Sequence, residues 1–273
     1  MKIYQLTNYT HVQMMCYVIV TDGGKVIAVD GGWHGQSHEL YRILKMVGGR
    51  VDMWFMTHPH GDHYGSIVEM FKIHNDIEVG GFWHSSMMMD KDVMTEDEYN
   101  DAKKWYDFIK KTYVPIRELA IGDQFKLDEI TIDILGIANH EITKNIINNQ
   151  SVVFKVSDDD FSMMFLGDLG VEGGEKLLNM YGDKLKSDAV QMAYHGQGGV
   201  ERDVYEHIAP AYAFWPTPDW LWENRTERDT VPNTRNFKTP EVIKWMEELG
   251  AINITNFYET KVFDTKTKEI TIV

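Results

Sequence analysis

Cysteine is almost absent from this chain: Cys16 is the only one in 273 residues. An internal disulfide is therefore impossible, and nothing implies an oxidising compartment. Set in Met14-Met15-Cys16-Tyr17-Val18-Ile19-Val20, Cys16 reads as a buried strand residue rather than a nucleophile. Long hydrophobic runs are missing too, and no stretch approaches the roughly twenty apolar residues that a membrane span requires. The opening Met1-Lys2-Ile3-Tyr4-Gln5-Leu6-Thr7 lacks the basic region and apolar core of a secretory signal. A cytoplasmic location with no membrane partner is expected. Positive charge is scarce, with 27 Lys and Arg against 42 Asp and Glu, a formal net charge of −15. No dense basic run offsets it, which argues against long nucleic acid as a partner. Lys103-Lys104 and Lys110-Lys111 read as the solvated face of a helix. Repeats, low-complexity tracts and Gly/Ser linkers are also lacking, so residues 1–273 are expected to form a single domain.

What is present is enough for a sizeable core, since 43% of residues are hydrophobic. Strands are expected at 1–6, 14–20 and 25–30, the last two joined by a turn at Thr21-Asp22-Gly23-Gly24. A helix follows over 37–47, then a strand at 51–56, a helix over 64–74 and a strand at 77–83. Residues 85–113 form an insertion with Met87-Met88-Met89 and a helix over 96–111. Its apolar face is expected to carry Tyr99, Ala102, Tyr106 and Phe108 or Ile109. The methionines read as core packing or as substrate contact. His84, at a strand's end, reads as a structural histidine or as part of a cleft. Hairpins are expected at 121–135 and 151–166, with polar, irregular chain at 136–150 between them. A helix at 174–180, a strand at 188–193, a short helix at 204–208 and a strand at 211–215 come next. Residues 216–232 read as a loop, and Thr239 as the N-cap of a helix over 240–249. Three short strands close the chain. Halves near 1–135 and 150–273 would each build one sheet.

The most informative stretch runs from Met53 to Ser66. An apolar run reaches Thr57, and then His58, His60, Asp62 and His63 crowd into six positions. Pro59 and Gly61 oppose regular structure, so these residues are expected on a loop at a strand's end, where open α/β sheets place their sites. Imidazole and carboxylate are ligands for zinc, manganese and iron. Imidazoles packed this closely would repel one another once protonated, so the cluster makes sense around a cation. A polar loop with accidental histidines is the plain alternative, and the spacing argues against it.

His58-x-His60-x-Asp62-His63 resembles the signature of the metallo-β-lactamase superfamily. That resemblance implies an α+β fold, an αββα four-layer sandwich of two mixed sheets flanked by helices, holding one or two metals. Two further pieces fit the resemblance, each ending an apolar strand: Phe165-Leu166-Gly167-Asp168, and Val190-Gln191-Met192-Ala193-Tyr194-His195-Gly196. One branch looks especially similar, the hydrolase domains of bacterial competence DNA-uptake channel proteins. The shared elements are Asn148-Asn149-Gln150-Ser151, Gly167-Asp168 and His195-Gly196. The likeness covers most of the chain but neither the insertion nor residues 216–250.

By resemblance, His58 and His60 would hold metal one, Asp62, His63 and His195 metal two, and Asp168 would bridge them. Asp30, in Asp30-Gly31-Gly32, would support the metal loop without being a ligand. Asp62 and His63 are the candidate catalytic residues. A hydroxide between the metals would be the nucleophile, and the leaving group would be protonated by metal-bound water or by Asp62. One departure stands out. The superfamily usually places another histidine on metal one just before the strand that starts here at Ser151, and this chain has Ile147-Asn148-Asn149-Gln150. Asn148, water or His140 would fill that position, asparagine or water being favoured, and metal one should bind less tightly.

The resemblance thus implies a metal-dependent hydrolase with one or two divalent ions, zinc foremost and manganese or iron as alternatives. The branch leans toward a phosphodiester or other small ester-type substrate. Trp215, Trp220 and Trp222, with Arg225 and Arg228, are candidates to contact it or are ordinary core and loop residues. The other reading is a non-catalytic metal-binding or ligand-sensing module on the same fold. A β-lactamase proper is disfavoured, because no secretory signal would carry the chain to a periplasmic drug. A homodimer through residues 85–113 is a further expectation.

Overall fold

A computed structural model of the chain describes residues 1–86 and 88–273, so Met87 lies outside the described residues. Two mixed sheets form its centre. In the first, the strands run Ile270–Ile272, Lys261–Asp264, Lys2–Gln5, Cys16–Val20, Val26–Asp30, Met53–Phe55, Phe82–His84 and Ile116–Glu118. In the second they run Ile252–Thr255, Tyr212–Trp215, Ala189–Gln191, Ser162–Phe165, Val153–Ser157, Ile130–Gly136 and Gln124–Leu127. Helices α1 (Ser37–Met46), α2 (Gly61–Ile73) and α3 (Glu96–Ile109) pack on the outer face of the first sheet. Helices α4 (Val171–Tyr181) and α5 (Arg202–Ile208) cover the second. The short α6 (Asp219–Trp222) lies in the following loop, and α7 (Thr239–Glu248) completes the outer layer.

The strand sequences explain the four layers. Side chains alternate across a strand, so a strand buried on both faces reads as continuously apolar. Tyr17, Ile19, Ile27 and Val29 point between the sheets and meet Phe154, Phe165 and Phe214 of the second. Their neighbours Cys16, Val18, Val26 and Ala28 point outward onto Leu40, Ile43 and Ile67 of the helices. Cys16 is thus a packed strand residue, 1% exposed. In the second sheet, Val153, Met164 and Val190 turn outward onto Leu177, Val204 and Met246. Two mixed sheets face to face with helices outside both make an α+β sandwich of four layers.

Several expectations need correcting. The halves do not divide near residue 135: the hairpin of Gln124–Leu127 and Ile130–Gly136 joins the second sheet by pairing antiparallel with Val153–Ser157. The last two strands return to the first sheet beside Lys2–Gln5. The strand feeding the histidines is interrupted at Asp52, whose carboxylate accepts from Val26 N at 3.0 Å and Arg50 Nε at 2.8 Å; Met53–Phe55 continues in the first sheet while Arg50–Val51 pairs with Glu78–Val79 in a separate two-stranded sheet. Ile116–Glu118 is a strand that the sequence pattern did not reveal. Thr239 is not an N-cap; it sits inside the first turn of α7, and its buried hydroxyl has no partner.

The insertion spends its apolar face inside the molecule. Thr95 and Glu98 form a capping box at the start of α3, and Trp105, missed by the pattern, packs with Ala102 as the buried stripe. Met88, Met89 and Met94 gather against Ile146 and Ile147, which is core packing. Lys103, Lys104, Lys110 and Lys111 are all exposed, as a solvated helix face requires. Among the described residues, no helix is long and apolar enough to cross a membrane.

Candidate metal centre

Both sheets change from antiparallel to parallel pairing beside the site. Val26–Asp30 runs antiparallel to Cys16–Val20 but parallel to Met53–Phe55. Ser162–Phe165 runs antiparallel to Val153–Ser157 but parallel to Ala189–Gln191. Such switch points open a crevice at the carboxyl ends of the strands. Asp30, the His58 loop, Asp168 and His195 all leave strands there.

The loop is shorter than the sequence suggested. His58 and His60 precede α2, but Asp62 and His63 lie in its first turn. His60 occupies the N-cap position without a side-chain cap. Asp101 of α3 takes over that duty, accepting from Gly61 N at 2.8 Å and from Tyr64 Oη at 2.8 Å. Gly31 N and Gly32 N donate to His63 O at 2.6 and 3.1 Å, tying the Asp30-Gly31-Gly32 turn to the same helix.

The six expected ligands converge in two groups that share one carboxylate. Asp62, His63, Asp168 and His195 have ligand atoms within 4.8 Å of one another, and so do His58, His60 and Asp168. His195 Nε2 lies 3.1 Å from Asp62 Oδ2 and 3.3 Å from Asp168 Oδ2. His63 Nε2 lies 3.4 Å from Asp168 Oδ1, and His58 Nε2 lies 3.9 Å from Asp168 Oδ2 and 3.0 Å from His60 Nδ1. Asp168 is 1% exposed and both His63 and His195 are 0% exposed.

The His63 and His195 rings are aimed from behind. Asp30 Oδ2 takes His63 Nδ1 at 2.6 Å, while the same carboxylate accepts from Thr57 N and Thr57 Oγ1 at 2.8 and 2.6 Å. His195 Nδ1 donates to Pro216 O at 2.7 Å. Both bonds leave Nε2 as the free nitrogen, the usual way a metal-binding histidine is oriented. Gly167 and Gly196 are demanded by the turns. Gly167 has φ +57, and a Cβ there would stand 2.9 Å from Ser151 Oγ; at Gly196, φ is +76 and the clash would be with Trp215 at 2.2 Å. Gln191 braces the Gly167-Asp168 turn from below, accepting from Leu166 N and Gly167 N and donating to Gly167 O and Met192 O.

Charge follows from this packing. Burial lowers the His195 imidazole, but the carboxylates of Asp168 and Asp62 outweigh it and push it up to about 10. Burial likewise works against a proton on His63, yet Asp168, Asp30 and Asp62 hold it well above the usual value. His58 goes the other way, driven well below its usual value by burial and by His63. Asp168 is well below the carboxylate range: burial raises it, and His195 and His63 overcome that. Burial raises Asp30, opposed by His63 and Thr57.

Do these residues fit a divalent cation? Buried polar atoms are normally hydrogen-bonded, yet His63 Nε2, His195 Nε2 and Asp168 Oδ1 are buried without a well-formed hydrogen bond, in close contact only within the His/Asp cluster. Nitrogen and oxygen donors stripped of water and facing one another are a cation's ligand set. They fit.

Other candidates fall elsewhere. His140 is exposed, and its Nε2 is 2.9 Å from Ser86 O, outside the cluster. His84 is buried at 4% exposure, with Nε2 3.5 Å from Glu118 Oε2. Trp215 is a core residue, 0% exposed, bonded through Nε1 to Asn253 Oδ1 at 2.8 Å. Trp222 stacks edge-on against Trp215, and Trp220 Nε1 donates to His11 O. Arg225 is consumed by Asp219 and Glu223, at 2.6 and 2.5 Å, and Arg228 is 90% exposed at the side chain. Sequence reasoning missed Asp101, Gln191 and Tyr194. Gln191 left a trace, a lone amide in the apolar run Val190-Gln191-Met192-Ala193; Asp101 left none.

Residues 10–228 match the metallo-beta-lactamase superfamily, and the chain belongs to it. Members of this superfamily are generally metal-dependent hydrolases, and the fold implies divalent metal binding. ComE operon protein 3 of Bacillus subtilis (strain 168) is 21% identical over 205 residues, 72% of this chain and 25% of that protein. The chain thus spans about a quarter of that relative's length. Among solved structures, YhfI from Bacillus subtilis, a metallo-beta-lactamase fold protein, is similar with a TM-score of 0.54 and 11% identity, covering 97% of this chain and 100% of YhfI. A variant of the β-hydroxylase CmlA has a TM-score of 0.56 at 10% identity, covering 96% of this chain and 53% of CmlA. At such identities the shared feature is the fold, which does not fix a reaction.

Proposed function

We propose that this protein is a dinuclear metal hydrolase of a phosphodiester or other small ester-type substrate, with zinc as the first metal and manganese or iron as alternatives. The observation that carries the reading is the pair of His/Asp clusters joined at Asp168, with inward-facing donor atoms left without partners. His58, His60 and Asp168 would hold one cation; Asp62, His63, His195 and again Asp168 would hold the other. When bound, the cations supply activation of water near neutral pH and stabilise the charge that develops on the attacked group.

The chain's own residues do the rest. Asp30 and the Pro216 carbonyl keep the His63 and His195 rings from rotating. Asp62 is the more open carboxylate, with 20% of its side chain exposed against 2% for Asp168. Burial raises Asp62, but His63 and His195 prevail and lower it. As the anion left partly open to solvent, Asp62 would be the carboxylate that returns a proton to the leaving oxygen. The acidic surface favours a small substrate over a long polyanion. A single catalytic domain over 1–273 belongs to the same reading.

The test is metal analysis of protein purified without chelator, together with hydrolysis of bis-p-nitrophenyl phosphate before and after adding Mn²⁺ or Zn²⁺. Near two metals per chain, and turnover abolished in Asp168→Ala, is the expected result. Metal without turnover on phosphodiester or simple ester substrates would favour the ligand-sensing module. Failure to take up any metal would overturn the ligand assignment.

A further inference from the structure

Metal one draws less from the chain than metal two, because its cluster holds two histidines and the shared Asp168. His140 is bonded to Ser86 O and does not reach it. Asn148 behaves differently. Its side chain is 1% exposed, and its Oδ1 is among the buried atoms without a hydrogen-bond partner. Its neighbour is the Tyr194 side chain, and that phenol lies near the charges of Asp168 and Asp62. An amide nitrogen turned to the phenol oxygen leaves Oδ1 as the free end.

Tyr194 is held there at a conformational cost. It has φ 50 and ψ 47, and His195 follows with φ 52 and ψ 25. Two consecutive side-chain-bearing residues in the left-handed region are rare and cluster at functional sites. The backbone at the start of the next strand ties Asn148 to the cluster. Ser151 N donates to Asn148 O at 3.0 Å, and Ser151 Oγ lies 3.4 Å from His58 Nδ1 and accepts from Asp168 N at 3.0 Å.

We propose that the Asn148 carboxamide oxygen is a ligand of metal one and that Tyr194 is the residue that positions it. The inference rests on the dinuclear reading above. A neutral amide is a weaker donor than imidazole, so metal one fills after metal two and leaves first. Asn149, by contrast, is structural: its Oδ1 accepts from Gly170 N and Gly173 N at the start of α4.

The experiment is a competitive Zn²⁺ titration of chelator-treated full-length protein against a chromophoric chelator, repeated with Co²⁺ to read the visible ligand-field bands. The wild type is expected to show a tight and a weaker step. Asn148→Ala should weaken the second step about tenfold and leave the first alone, and Asn148→His should tighten it by about ten- to a hundredfold. Tyr194→Phe should fall between wild type and Asn148→Ala. The Co²⁺ bands of the second ion should change in Asn148→His. A tightened step cannot arise from misfolding, so the histidine variant protects the test. Two steps unaltered in Asn148→Ala and Asn148→His would overturn the role of Asn148 while leaving the dinuclear site standing. A single step in every variant would overturn both.

Discussion

Gln191 has no chemistry to offer a substrate, yet the site depends on it. Its carboxamide oxygen takes Leu166 N and Gly167 N at 2.9 and 2.8 Å, and its nitrogen gives to Gly167 O and Met192 O at 3.0 and 2.7 Å. Gln191→Leu keeps the volume but leaves two buried N–H groups without acceptors, at a cost of about 2–4 kcal/mol. Urea denaturation should show that loss, and the Asp168 turn, no longer braced, should bind metal more weakly. A wild-type midpoint would sink the argument. Asp30→Asn probes a different dependence. The amide can still accept from Thr57 but cannot match an anion against His63, so metal affinity should fall by about ten- to a hundredfold while the fold persists. Isothermal titration of the metal reads this directly. Asp30 was legible through the family resemblance, since Asp30-Gly31-Gly32 alone reads as a turn. Gln191 was missed, since most of its partners lie at the end of another strand.

At the scale of elements, the decisive feature is the entry into α2. Its first turn carries Asp62 and His63, and its own N-cap side chain does no capping. Asp101, forty residues on, closes that end through Gly61 N and Tyr64 Oη. Asp101→Ala should cost about 1–2 kcal/mol, the size of a lost N-cap, and should loosen the metal held by the same turn. Thermal unfolding with and without metal checks both, and a variant with unchanged metal affinity would show that α3 is mere covering. The central strands, such as Cys16–Val20, Val26–Asp30 and Tyr212–Trp215, were readable in advance because they are buried on both faces and read as apolar runs. Their ends were not. Val51–Met56 is broken at Asp52, whose carboxylate accepts from Val26 N, with Val51 pairing beside Val79 in a separate two-stranded sheet and only Met53–Phe55 in the main one. The sheet to which Gln124–Leu127 belongs was hidden as well, since pairing with residue 153 onward is a long-range choice. The four ligands near residue 60 were legible as a local pattern; Asp168 and His195 gained meaning only through the family's order of motifs.

Across the whole molecule, the cost of assembling the site without metal shows as a dependence on pH. His195 rises from about 6.5 in an unfolded chain to about 10 when folded, and His63 shifts in the same direction. Protons bound preferentially by the folded state stabilise it, fully below pH ~6.5 and less and less as pH climbs through the folded values. Asp168 and Asp62, both lowered, add stability that is present above the ordinary carboxylate range and fades as pH falls through their folded values. His58, lowered as well, makes stability rise with pH up to about 6.5. Chelator-treated protein should therefore be most stable near pH 6–7 and lose Tm steadily toward pH 10. Metal reverses the logic, because the cation held by Asp62, His63, His195 and Asp168 needs the two rings without their inward protons. Loading should release protons, visible as a buffer-dependent heat in titration calorimetry. It should also raise Tm, by the equivalent of about 2.7 kcal/mol at a hundredfold excess over Kd, and flatten the alkaline slope. His195→Ala should remove much of that slope from the chelator-treated protein. If instead the slopes with and without metal are the same, the buried His–Asp cluster is not what titrates, and the charge assignment at the centre of the site fails.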